Sequence, residues 1–172
     1  TGRRMGGLPG WISGLAFGCA CTRKTLAKAD GSRVYPGFCR SGLPKGTAPR
    51  SWRFKMPRGV SLSWHDRVVG RQSYSPDSVG DVTLLRADGH WAYHLAVVVD
   101  DADQEVTDIV RGADLISSTA AHVGIQRALG IPQPKYAHVP LVLNAEGQKL
   151  SKQTLARPVE IKDSREVLSM VF

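Results

Sequence analysis

The chain has 172 residues, of which 42% are hydrophobic and 22% charged, the proportions of a globular protein with a core of its own. No apolar run approaches the roughly eighteen residues that a membrane helix needs, so a membrane-spanning helix is excluded. The formal net charge of +8 favours a polyanionic partner, nucleic acid first, although such charge also serves solubility.

Residues 1–16 form a Gly-rich lead-in with Arg3 and Arg4 and no continuous apolar core. It is not a secretory signal, and the expected location is the cytoplasm. The first residue is Thr1 rather than Met, which suggests a fragment, a processed product or a trimmed chain. Residues 17–58 hold all three cysteines, Cys19, Cys21 and Cys39, and four of the ten prolines. Cys19 and Cys21 are too close for a disulfide framework, and a reducing compartment with a metal site fits better. The segment reads as a loop-rich insert that a metal could hold together where a core cannot.

Residues 59–79 are polar with scattered Val and Leu, and suggest short strands and a surface loop. Asp81 to Arg86 reads as a strand, and Asp88-Gly89 as a hairpin turn. Trp91 to Val99 is apolar and rich in β-branched residues, so the pattern predicts a buried strand ending at Asp100-Asp101. Residues 114–130 read as a helix capped by Ser117, Ser118 or Thr119. Its stripe is Ala121, Ile125, Ala128 and Leu129, and Gly130 and Pro132 close it. Residues 137–143 read as another strand. The turn at 144–147 then delivers Lys149, Leu150, Ser151, Lys152 and Gln153 onto an exposed loop. Residues 160–172 read as a last helix. Strands alternating with helices imply an α/β fold.

Three constellations carry chemistry. Lys149 and Lys152 could sit on the phosphates of ATP and offset charge on leaving pyrophosphate. Arg111 closes an apolar stretch, where a guanidinium needs a partner, and a planar carboxylate suits its fork. A structural pairing with Asp114 or Asp108, with Tyr93 as a core aromatic, explains the same residues. Cys19, Cys21 and Cys39 would bind zinc with one more donor in a closed tetrahedral site, and spacing alone favours His65 or a water as that donor. Asp100 and Asp101 could bind Mg2+ with ATP, or cap a strand end. The basic tract Arg40, Lys45, Arg50, Arg53, Lys55 and Arg58, with Trp52 and Phe54 interleaved, could track a phosphate backbone or form a solvated face. His138 receives no role.

The stretches VTDIVRGADL (106–115), PKYAHVPL (134–141) and GQKLSKQ (147–153) resemble, in order and spacing, those of class I glutamyl-type aminoacyl-tRNA synthetases. The lysine loop looks like their second signature, K-M-S-K-S, with Leu150 in place of Met and Gln153 in place of the last Ser. The Gln form, together with Cys-x-Cys followed by Tyr-x-x-x-Cys, points to the glutamyl-queuosine branch of the family. The resemblance runs from Phe17 to Arg157 and implies a partial Rossmann-type catalytic domain with a zinc-binding insert. Residues 59–157 would be its C-terminal half, including the lysine loop, and 158–172 the start of a truncated helical region. By the same resemblance Lys149 and Lys152 are catalytic, with Lys152 on ATP. Tyr93 and Arg111 bind L-glutamate, and Cys19, Cys21, Tyr35 and Cys39 hold one structural Zn2+. The implied substrates are glutamate, ATP with Mg2+, and tRNA(Asp) bearing queuosine, handled by a monomer.

The family's first signature, H-x-G-H or H-x-G-S, does not occur in the chain. The chain therefore reads as truncated at both ends and inactive by itself. The alternatives are a non-catalytic zinc-containing fragment with weak nucleotide or RNA binding, and a fragment of a discriminating glutamyl-tRNA synthetase. The cysteine–tyrosine pattern and Gln153 argue against the latter.

Overall fold

The structure, a computed structural model, describes residues 14–27 and 34–150, together with Arg165 and Ser169. In chain order the elements are β1 (Ala16–Cys19), α1 (Arg23–Ala27), β2 (Ser51–Phe54), β3 (Leu62–Asp66), β4 (Gly70–Tyr74), α2 (Pro76–Val79) and β5 (Thr83–Leu85). They continue with α3 (Tyr93–Asp103), β6 (Asp108–Gly112), a 3-10 turn (Ala113–Leu115), α4 (Ile116–Leu129) and β7 (Lys135–Val139). Two compact units divide the chain after Val139.

The first unit contains two sheets. One is antiparallel in the order β1-β2-β5, and the other is mixed in the order β4-β3-β7-β6. In the mixed sheet β3 and β4 form an antiparallel hairpin, while β7 runs parallel to both β3 and β6. β6, α4 and β7 make a β-α-β unit, which the parallel pairing requires because a tight turn cannot return a strand in the same direction. Trp64, Leu84, Leu95, Val98, Ile125 and Tyr136 lie in its core. Strand β3 alternates strictly. Leu62, Trp64 and Asp66 face inward and His65 faces solvent, so the pleat carries a carboxylate into the interior with the hydrophobes.

Between Trp91 and Val99 the expected strand is a helix. α3 begins at Tyr93 and buries Leu95 and Val98, which with buried Ala92 are spaced at three residues, a helical interval. The β-branched run Val97–Val99 is overridden because that face packs on the core. Asp100 and Asp101 consequently sit in the last turns of a helix and do not cap a strand. The Asp88-Gly89 turn forms, with Gly89 at φ +82°, but its return strand shrinks to one bridge, Leu85 to Trp91.

α4 spans nearly the expected range and ends at Gly130 in the left-handed conformation, φ 67° and ψ 21°. Its start differs. The 3-10 turn leads in, Leu115 is the N-cap, and no side chain caps the first turn. The Ser117, Ser118 and Thr119 caps are thus not formed, because Thr119 is already one turn inside the helix and buried. The last strand begins at Lys135 and stops at Val139, where Pro140 removes a donor.

In the second unit the turn at 144–147 is present. Gln148 N–H donates to Asn144 Oδ1 at 2.7 Å and Gly147 N–H to Asn144 O at 3.0 Å. The expected helix at 160–172 lies outside the described residues, except that Arg165 and Ser169 are helical. Among the described residues no helix is long and apolar enough to cross a membrane.

Candidate active site and metal centre

Arg111 lies near the C-terminal end of β6, paired in register with His138 of β7. Its guanidinium is held on several sides. Nε–H donates to His138 Nε2 at 3.2 Å, and one Nη donates to Tyr93 Oη at 3.3 Å. The other Nη reaches Thr119 Oγ1 and, at 3.3 Å, His122 Nδ1. The Arg111 Cζ stands 5.4 Å from the Tyr136 ring centroid, a cation–π distance. The helical form of residues 93–103 is what brings Tyr93 here. Tyr93 is half exposed, so the Tyr93–Arg111 edge is the exposed one, while the contacts with His138, Thr119 and His122 are part-buried. Asp108, one of the two carboxylates considered as a partner for Arg111, pairs instead with Arg67 at 2.8 Å.

Proton positions follow from the donor inventory. Arginine has donors only, so each imidazole nitrogen facing it carries a lone pair. His138 therefore has its proton on Nδ1, which donates to Asp66 Oδ2 at 2.5 Å. His122 has its proton on Nε2, which donates to His94 Nδ1 at 3.2 Å. Burial, reinforced by Arg111 and His94, pushes the His122 pKa down to about 3. Burial and then Arg111 lower that of His94. Burial alone would raise Asp66, but hydrogen bonds from the His138 ring and from the N–H groups of His138, Val68 and Val69 hold it well below the usual carboxylate range. Each of the four side chains thus turns an acceptor lone pair toward Arg111, and Asp66 is an ionised carboxylate one imidazole away.

The second cluster joins β1 to the loop that follows α1. Cys19, Cys21 and Cys39 are free thiols, and their sulfurs all lie within 4.8 Å of one another. Cys21 Sγ is 3.7 Å from Cys39 Sγ, and Tyr35 Oη is 3.5 Å from Cys19 Sγ and 3.9 Å from Cys21 Sγ. A tetrahedral ion with metal–sulfur distances of about 2.3 Å has sulfur–sulfur edges of about 3.8 Å and sulfur–oxygen edges of about 3.5 Å. The three cysteine sulfurs could hold a metal ion, and the Tyr35 oxygen lies at edge-like distances from two of them. His65 is not in this group; it is an exposed residue of β3, so the His65 half of the preference from spacing is corrected.

Burial opposes ionisation of Cys19, yet hydrogen bonds with Tyr35 and the Cys21 backbone, together with Arg53, bring it down to about 7. Burial and the neighbouring thiols push Cys21 up to about 11, and burial followed by the same thiols raises Tyr35. A cation among these groups would reverse that balance. Arg53 stacks its guanidinium 3.9 Å from the Tyr35 ring centroid and donates to Asp81 O. Arg40 binds the Asp81 carboxylate and Met56 O, and Arg58 pairs with Asp77 at 2.7 Å. Half of the basic tract is therefore engaged in holding this region together.

Lys149 is in the second unit, bridged to Leu143, and Lys152 lies outside the described residues. The first unit thus brings Tyr93 and Arg111 together and, separately, Cys19, Cys21, Tyr35 and Cys39. Asp66, Thr119, His122 and His138 were not singled out from sequence as site residues. The signal available was Asp66 on the apolar face of an alternating strand, a buried charge that needs a partner.

Residues 41–168 match the catalytic domain of class I tRNA synthetases (E and Q). The chain belongs to that family. It spans about half the length of the curated relatives it matches. The Glutamyl-Q tRNA(Asp) synthetase of Leptothrix cholodnii is 52% identical over 172 residues, covering 91% of this chain and 57% of the relative. That of Aromatoleum aromaticum is 51% identical over 152 residues, covering 86% and 48%. In fold, this class I chain is similar to the glutamate-tRNA synthetase of Elizabethkingia anophelis, with a TM-score of 0.68 and 28% identity over 81% of this chain and 33% of that one. It is also similar to a glutamate tRNA ligase of Elizabethkingia meningosepticum in complex with its amino acid, with a TM-score of 0.69 and 27% identity over 85% and 34%. The α/β class and the family expected from the lysine loop and its neighbouring stretches are both shown.

Proposed function

We propose that this class I chain carries the amino-acid site of a glutamyl-queuosine tRNA(Asp) synthetase, which activates L-glutamate with ATP and transfers it to queuosine in the tRNA(Asp) anticodon. The observation that carries the reading is the Arg111 guanidinium. Four acceptor side chains orient it, and its bond to Tyr93 is the exposed one of the four, which leaves that edge to a carboxylate. In this reading the remaining N–H of the Arg111 Nη that faces Tyr93 donates to a substrate carboxylate, and Tyr93 Oη adds a further hydrogen bond. A second carboxylate of the substrate remains to attack the α-phosphorus of ATP. The bond to the β-phosphate breaks, pyrophosphate leaves with the electron pair, and Lys149 and Lys152 offset its charge, with Mg2+ accompanying ATP. Zn2+ is the ion we assign to Cys19, Cys21, Cys39 and Tyr35, as a closed structural site that leaves no position for substrate. A monomeric cytoplasmic protein is part of the same reading.

Calorimetric titration of the chain with L-glutamate tests the site. We expect saturable binding that Arg111→Ala abolishes; an Arg111→Ala variant within about twofold of wild type would remove the basis of the proposal, since losing a hydrogen bond to a charged group is worth roughly 1.5–3 kcal/mol. The first signature does not occur among the 172 residues. Purified chain alone is therefore expected to show no glutamate-dependent ATP–pyrophosphate exchange, and measurable exchange would contradict that.

A further inference from the structure

Asp66 divides its carboxylate between two tasks. Oδ1 accepts three backbone N–H groups, from Val68 at 3.0 Å, Val69 at 3.1 Å and His138 at 3.1 Å. This closes the β3–β4 turn and ties β3 to β7. Oδ2 accepts from His138 Nδ1. The first task needs only a carbonyl oxygen, so an amide could perform it. The second needs a group that is an acceptor at both oxygens. The side chains of Asp66 and His138 are both fully buried, and burying an ionised carboxylate is costly without a return. What the second oxygen secures is the imidazole tautomer, and the tautomer decides whether Nε2 can accept from Arg111 Nε.

We propose that Asp66 is a positioning residue for glutamate recognition, acting through His138 to orient the Arg111 guanidinium. The proposal rests on Arg111 being the glutamate ligand. With the proton on Nδ1, His138 Nε2 accepts from Arg111 Nε–H and from the Thr119 hydroxyl at 2.8 Å. Stacking of the His138 and Tyr136 rings, 6.1 Å between centroids and 20° between planes, holds the imidazole in place. Gln126 Nε2 in turn donates to Tyr136 Oη at 2.9 Å. With Nε pinned, the two Nη groups keep one direction, toward Tyr93 on one side and toward α4 on the other. Moving the proton to Nε2 would set two N–H donors against each other, and the guanidinium would turn away.

Asp66→Asn makes that exchange. Its amide oxygen can serve the three backbone N–H groups, while its NH2 faces Nδ1 and drives the ring proton to Nε2. Nitrogen-15 spectra of the histidine rings read the tautomer directly, and titration of the same samples with L-glutamate reads the consequence. We expect an Nδ1–H tautomer for His138 in the wild-type chain and an Nε2–H tautomer in Asp66→Asn. The variant should bind L-glutamate about tenfold or more weakly, with an unchanged far-ultraviolet dichroism spectrum. A moved proton with affinity within about twofold of wild type, while Arg111→Ala abolishes binding, overturns the positioning role alone. Undiminished binding by Arg111→Ala, or no binding by the wild-type chain, overturns the glutamate site and this role with it. Should Asp66→Asn fail to fold, the wild-type ring decides. A proton on Nδ1 with a slowly exchanging Arg111 Nε–H upholds the role, and a proton on Nε2 ends it.

Discussion

At the scale of residues, the two clusters use opposite electrostatic designs. Around Arg111 no carboxylate of the described residues is among its hydrogen-bond acceptors, so a ligand carboxylate would be its charged hydrogen-bond acceptor. Around Cys19 several potential anions crowd together, with Arg53 over the Tyr35 ring, and an added cation would offset their mutual repulsion. This predicts that Cys39→Ser loses the bound metal equivalent on elemental analysis, and that Tyr35→Phe keeps metal but releases it to a chelator sooner. Unchanged content in Cys39→Ser would exclude the site. For the lysine loop, Lys152→Ala in a full-length relative should raise the barrier to glutamate-dependent exchange by ~2–4 kcal/mol if the ammonium stabilises developing charge; a rate loss under about threefold would reject that role. The cysteines were legible because ligand chemistry leaves a spacing pattern along the chain, whereas Tyr35 came only with the resemblance to the family. His138 and Asp66 were not legible, because they are 72 residues apart and meet only through β3–β7 pairing.

At the scale of elements, α4 was readable and α3 was not. α4 carries a long helical stripe and a stop at Gly130, whereas α3 opens with aromatic and β-branched residues that favour strands in isolation. Its helicity comes from the core it packs on. Gly130 shows the sequence-local case. Its φ of 67° is a left-handed conformation with open space where a Cβ would stand. Gly130→Ala should therefore lower stability by about 1 kcal/mol through backbone strain alone, measured as a fall in the denaturant midpoint with an unchanged slope. Gly124 is different, since an added Cβ would lie 2.7 Å from Met56 Sδ. Any effect there reports packing of α4 on buried Met56.

At the scale of the whole molecule, acid should unfold the first unit from near-neutral pH. His122 has a pKa of about 3 in the fold against a usual 6.5. Below 6.5 the unfolded chain binds a proton that the folded chain does not. The contribution is therefore fully present above 6.5 and is lost as pH falls toward 3. His94, also lowered, adds in the same direction. Asp66, held below its usual 3.8, contributes above that value and loses the contribution below it. The urea midpoint should fall steadily from about pH 7.5 to pH 4.5, and His122→Gln should flatten the fall. Equal midpoints at both ends of that range would contradict neutral, buried histidines at this site.

The sequence alone determined the α/β class, the family and the three cysteines as a metal-ligand pattern, while Tyr35, and Tyr93 with Arg111, came as what the resemblance to the family implies. Each of these rests on spacing or on short contiguous motifs, which survive in one dimension. The tertiary structure decided that residues 93–103 form a helix. It decided that Thr119 sits inside the site rather than at a cap, and that a carboxylate on β3 reaches Arg111 through an imidazole on β7. Those facts depend on which face packs against which and on where unpaired buried polar groups find partners. Both are properties of strand pairing and burial, which no local pattern along the chain contains.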